Sequence, residues 1–187
     1  MDETPEVSGE LILDQTHISN ASMIHDLQQK GYGEIEKNQL LLKQFETLYL
    51  LYTNKLVLKK NKKQIDFDSY MSICQKTNSE ILTKFLIFRD LKTRGYVVKD
   101  GFGFGSDFRV YERGHFGEKG AKFLIFGLNE GQQEKMSVLQ KKIDEITQMG
   151  KEPIIAVIER RGEVIYYKIN KMNFFENKSR LEDSFKF

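Results

Sequence analysis

The sequence predicts an α/β fold of the α+β type. A small N-terminal α/β domain, residues 1–78, precedes a C-terminal domain, residues 79–187, in which helices flank a mixed sheet. Three observations predict it. Apolar periodicity switches repeatedly between helical and strand-like spacing over the first 78 residues. Residues 96–126, YVVKDGFGFGSDFRVYERGHFGEKGAKFLIF, read as strand, glycine turn, strand, loop, strand. Two segments with apolar residues at helical spacing, 79–94 and 132–149, lie on either side of that stretch. At 187 residues and 40% hydrophobic content the chain can bury a core.

In chain order, residues 1–9 read as a disordered lead-in, and Glu10–Asp14 contains a short apolar strand. A helix is expected over Ser19–Lys30, with Ser19 or Asn20 as its cap and Gly31 as its stop. Residues 34–42 hold another strand or a bend. Phe45, Leu48, Tyr49 and Tyr52 then fall at helical spacing. Leu56–Lys60 is a strand followed by a polar turn, and Asp66 or Asp68 caps a helix running to about Gln75. The lysines and aromatics of 49–63 fit a core face and a solvated turn better than an RNA-binding patch. His17 and His25 stand alone, and Cys74 sits among Tyr70, Met71 and Ile73 as a buried thiol would. One cysteine excludes an intrachain disulfide and a cysteine-rich zinc site.

The helix at 79–94 has Asn78 or Ser79 as its candidate cap, with Lys92 and Arg94 suiting its negative end. Its apolar positions place it between the two halves. A domain boundary near residue 78 follows. After the 96–126 stretch, Asn129–Gln133 turns the chain into a second helix, with Met136, Leu139, Ile143 and Ile146 on one face and Gly150 as its stop. The strand IIAVIE, the turn RRGE and the strand VIYYKI make a hairpin. The tail from Asn173 mixes phenylalanines and charges without a pattern.

Net charge is only +2, but residues 1–78 carry 9 basic and 11 acidic side chains against 20 and 16 in residues 79–187. The basic excess lies with the C-terminal half, as a phosphate-binding face requires. No run of 18 apolar residues occurs, and the acidic start (Asp2, Glu3, Glu6) is unlike a signal peptide. A soluble cytoplasmic protein with no membrane partner is the expectation.

The string RGYVVKDGFGFGSDFRVYERG resembles the signature of archaeal tRNA-intron splicing endonucleases, which runs roughly RGYxVKxGxKxGxDFxVYxxG, then a His, then a strand. The resemblance extends over nearly the whole chain and is strongest from about residue 85 to 170. It implies a nuclease-like C-terminal domain and cleavage of precursor tRNA without metal or cofactor. The implied products carry a 2′,3′-cyclic phosphate and a 5′-hydroxyl. It also implies a tetramer, of one chain type or of this chain with a second endonuclease subunit.

Such a reaction needs a base for the ribose 2′-hydroxyl, an acid for the leaving 5′-oxygen and positive charge for the phosphate oxygens. Tyr111 matches the family Tyr, to which the base role belongs, although a phenol ordinarily has a pKa of about 10 and needs a nearby cation to act as phenolate. Lys151 matches the family Lys just before an apolar strand. Where the family has His, however, the string Gly120-Ala121-Lys122-Phe123-Leu124 has glycine. His115, five residues earlier in the same loop, is the candidate replacement. The alternatives are a site that works without imidazole and a non-catalytic structural or RNA-binding subunit of a heterotetramer. Arg160 and Arg161 are exposed turn residues that could touch RNA. A metal-dependent nuclease built on Asp107 fits less well, because Glu118-Lys119-Gly120 lacks the Glu-x-Lys spacing such sites use.

Overall fold

The computed structural model describes residues 7–101, 105–129 and 135–170. Residues 1–6 of the expected lead-in, the middle of the GFGFG turn, most of the turn after Asn129 and the tail from Asn173 lie outside the described residues.

The first strand, β1 (Val7–Ile12), alternates buried and exposed positions, with Val7, Gly9 and Leu11 inside. Residues 7–9, expected in the lead-in, are therefore sheet residues, because their alternation continues that of Glu10–Ile12. A hairpin leads to β2 (Gln15–Ile18), and α1 (Ala21–Gln29) follows with the Asn20 side chain accepting from Met23 N–H. The stretch read as a strand or bend is a second hairpin, β3 (Glu34–Glu36) and β4 (Gln39–Leu42). Next come α2 (Gln44–Tyr52), the hairpin β5 (Leu56–Lys60) and β6 (Lys63–Ile65), and α3 (Phe67–Thr77), capped by Asp66. The sheet order is β3-β4-β2-β1-β5-β6, antiparallel except for the β1–β5 pair.

The helix expected at 79–94 is α4 (Ile81–Thr93). Neither expected cap acts as one. Glu80 is the cap residue without a side-chain bond, and Asn78 Oδ1 instead accepts from Glu80 N–H. Helix α4 buries Ile81, Phe85, Ile87, Phe88 and Leu91, a gross hydrophobic gain on the order of 10 kcal/mol. Phe88 meets Phe45 at 4.9 Å, Tyr49 at 5.6 Å and Phe108 at 6.2 Å between ring centres. One continuous core thus joins the two sheets across the proposed boundary near residue 78.

Downstream, β7 (Val97–Asp100), β8 (Phe108–Tyr111) and β9 (Phe123–Asn129) pair antiparallel. Helix α5 (Met136–Gln148) crosses over, so β10 (Glu152–Ile158) lies parallel to β9, and β11 (Val164–Lys168) closes an antiparallel hairpin. The result is a mixed sheet ordered β11-β10-β9-β8-β7 and an α+β fold. Side chains alternate between its faces. Phe108, Val110, Ile125 and Ala156 belong to the core that α4 shares, whereas Leu124 and Phe126 pack on Ile146 of α5.

Besides the shared core, the N-terminal half meets the C-terminal sheet at a close approach around Gly31. Gly31 has φ +78°, and a Cβ on it would lie 2.3 Å from Val97 Cγ1 and 3.5 Å from the Phe116 ring, so only glycine fits. The neighbouring Gly33 N–H donates to Glu46 at 3.0 Å, and Lys43 N–H to the same carboxylate at 2.8 Å. Burial pushes the Glu46 carboxyl above its ordinary range, despite those two bonds. No helix of the described residues is long and apolar enough to cross a membrane.

Candidate active site

Strand register brings the first two candidates together. Val110 pairs with Phe123, and Phe123 pairs with Glu152. One step further along the same three strands stand Tyr111, Lys122 and Lys151. Backbone bonds continue into this row, from Lys122 N–H to Val110 O and from Glu152 N–H to Lys122 O, both 2.9 Å. By alternation all three side chains belong to the face that α5 covers, at the end of the sheet beyond its cover.

Tyr111 is half-buried, and the Phe116 ring stands edge-on against it, 5.0 Å away at 87°. Phe116 is the ring that Gly31 packs against, so the N-terminal half supports the tyrosine through one intermediate side chain. Lys151 follows the stop of α5: Gly150 has φ +68°, and Lys151 N–H donates to Ile146 O at 3.1 Å. A cation at a helix C-terminus is favourably placed. Its Nζ has neither a hydrogen bond nor a carboxylate within 4 Å among the described residues.

Gly120 lies beside that lysine. A Cβ built on it would be 3.3 Å from Lys151 Nζ and would meet nothing else within 4 Å. Its φ is outside the left-handed region, so the backbone itself accepts any side chain there. A side chain at 120 would project at the free ammonium.

His115 occupies a different environment. Its N–H donates to Glu112 O at 3.1 Å, and its own carbonyl accepts from Glu118 and Lys119 N–H at 3.2 and 3.0 Å, closing a compact turn. Its Nδ1 is 3.6 Å from Glu112 Oε2, and its Nε2 is 3.4 Å from Lys119 Nζ. That Nδ1 is buried and has no hydrogen-bond partner among the described residues. No hydrogen bond links His115 to Tyr111 or Lys151 among the described residues. Register thus places Tyr111 and Lys151 in one row with the Lys122 strand between them, while the hydrogen bonds of His115 run to its loop neighbours.

Two participants were not foreseen from the sequence. Lys122 stands between Tyr111 and Lys151 in the row, and its Nζ is bound to the Glu112 carboxylate. That bond holds the Glu112 carboxyl below its ordinary range and Lys122 above its own. Nothing in the local sequence singles out Lys122, because only register gives it these neighbours.

The other sequence candidates are accounted for structurally. Asp107 accepts from Gly127 N–H at 2.7 Å and pairs with Lys84 at 3.4 Å, so its carboxylate ties β8 to β9 and α4. Among the described residues no group of three or more His, Cys, Asp or Glu side chains could hold a metal ion. His17 bonds Gln39 at 2.8 Å and His25 bonds Gln29 at 2.9 Å. Cys74 is buried, and that burial pushes its thiol up to about 11. Arg160 and Arg161 are exposed on the β10–β11 turn.

Residues 7–71 match the family model described as tRNA intron endonuclease, N-terminal domain, and residues 81–166 match tRNA intron endonuclease, catalytic C-terminal domain. The chain is 34% identical over 147 residues to a tRNA-splicing endonuclease of Methanococcus maripaludis, covering 78% of this chain and 83% of the relative. It is 28% identical over 145 residues to one of Pyrococcus furiosus, covering 78% and 84%. A third, from Thermococcus onnurineus, is 28% identical over 162 residues, covering 86% and 94%.

Proposed function

This chain belongs to the tRNA intron endonuclease family, and on that premise we propose that it cuts precursor tRNA at intron–exon junctions of bulge–helix–bulge shape, without metal. The ribose 2′-oxygen attacks the adjacent phosphorus, its proton passing to the phenolate oxygen of an ionised Tyr111, while the bond from phosphorus to the 5′-oxygen breaks. The products are a 2′,3′-cyclic phosphate and a 5′-hydroxyl. Lys151 stabilises the charge gathering on the phosphate oxygens, as a preorganised cation in a partly desolvated site can. The observation that carries this reading is the single row of Tyr111, Lys122 and Lys151 at the sheet end, with an ammonium at Lys151 that has no partner among the described residues.

The leaving 5′-oxygen still needs a proton. Gly120 offers none, and His115 has its ring nitrogens toward Glu112 and Lys119. In this reading water supplies the proton and the chain alone is a slow nuclease. Gly120 also favours a second reading, in which the chain is the structural, RNA-binding member of a heterotetramer whose other subunit cuts.

One experiment separates the two. Purified protein is incubated in EDTA with end-labelled bulge–helix–bulge RNA or plain duplex, and the product ends are identified. Slow cutting of the first RNA alone, to cyclic-phosphate ends, is the expected result. Cutting only after a second endonuclease subunit is added favours the structural role. Neither cutting nor preferential binding of the bulged RNA overturns both.

A further inference from the structure

A second cationic group shares the face that carries Tyr111. Arg109 lies two residues before Tyr111 on β8, about 7 Å along the strand and on the same side. Directly opposite it on β7 is Lys99. Like charges facing each other across a strand pair are destabilising, and sheets usually relieve them with a carboxylate. Here none does. Lys99 Nζ donates to Gly33 O at 2.6 Å, and burial holds Lys99 below its ordinary range, with the Arg109 and Lys43 charges adding to the shift and the Glu46 and Glu34 carboxylates opposing it. The buried Glu46 carboxylate opposes that shift but is engaged by the N–H groups of Gly33 and Lys43.

Arg109 itself has no carboxylate within 4 Å among the described residues, and its Nε is buried without an acceptor. A guanidinium cannot shed its proton to escape this, so the cost of an unsatisfied charged N–H persists in the free protein. A planar fork with donors to spare suits a phosphate group, which accepts two parallel N–H bonds. The position is also the open one, x, in the family pattern DFxVY. We propose that Arg109, backed by Lys99, is a subsite for the RNA phosphate next to the linkage presented to Tyr111 and Lys151. This inference rests on the functional reading above.

The test measures RNA affinity across a salt series for wild type, Arg109→Gln and Arg109→Lys. Arg109→Gln is expected to weaken binding roughly tenfold and to flatten the salt slope by about one. Arg109→Lys falls between, since an ammonium keeps the charge but not the fork. The Gln variant should melt no lower than wild type, because it removes the opposition with Lys99. An uncharged methylphosphonate at the adjacent phosphate should weaken wild-type binding and leave Arg109→Gln without further loss. Unchanged affinity and slope in both variants overturn the subsite. An equal loss of melting temperature in both makes Arg109 structural and overturns it too. If the wild type shows no preference for the bulged RNA, the functional reading falls, while the salt slope on plain duplex still decides the role of Arg109.

Discussion

Tyr111 and Lys151 differ from His115 in what holds them. The first two sit at the ends of paired strands, so moving either means breaking the β8–β9 or β9–β10 ladder. His115 hangs in a turn closed by its own N–H bond to Glu112 O and by bonds from Glu118 and Lys119 N–H to its carbonyl, most of it exposed. Strand pairing specifies position within a fraction of an ångström, whereas a surface turn fixes only its own residues. A residue that must meet Lys151 belongs on the sheet end. Position 120 lies beside Lys151, three residues before β9, whereas the hydrogen bonds of position 115 close its own turn.

The largest expected effect comes from restoring an imidazole at the sheet end. Gly120→His should raise single-turnover cleavage by roughly 10²–10⁴-fold, the usual contribution of a general acid. The lysine Nζ 3.3 Å from the new Cβ is the tip of a flexible chain and can give way. Gly120→Ala should fold normally and gain nothing. His115→Ala should change the rate less than a few-fold. The comparison breaks if His115→Ala is inactive and Gly120→His gains nothing, for the loop would then supply the acid after all.

Next in size is Lys151→Ala, expected to lower cleavage by about 10²–10³-fold. RNA affinity should stay within a few-fold, because one cation among several is lost. Collapse of binding and melting temperature together would make Lys151 a helix cap and no more.

What the sequence made legible divides along the same line. Tyr111 and Lys151 became candidates through the resemblance alone; alternation in FRVY and the Gly150 stop before an apolar strand placed them at strand ends but did not mark them as site residues. Helix α4 was readable from its apolar density, although its cap was not. Hairpins were harder. The β3–β4 and β5–β6 turns place Lys37, Asn38, Asn61 and Lys62 in the left-handed region, without the Asn-Gly or Asp-Gly that usually announces such turns. Short polar strands such as KQI carry no periodicity of their own and exist only as partners. Lys122 and Arg109 were invisible for a related reason. Their neighbours come from register between strands distant in sequence, and register is a tertiary property.

The smallest effect probes the one bond that links loop to sheet. Glu112 binds Lys122, whose place in the row lies between Tyr111 and Lys151. The carboxyl of Glu112 is held low by that bond. A depressed carboxylate contributes while it is ionised and loses its contribution as pH falls through the folded value. From pH 5 to 8 the pair therefore stays intact, and wild-type affinity for RNA should show no step assignable to it. Glu112→Gln removes the negative charge facing the site at every pH and releases Lys122 toward a phosphate. RNA binding should tighten a few-fold and its salt slope should steepen by up to about one. Melting temperature should hardly move, since exposed ion pairs contribute little. Weaker binding in Glu112→Gln would mean that Lys122 must be held in place to be useful. The loop would then be as much a part of the site as the strands.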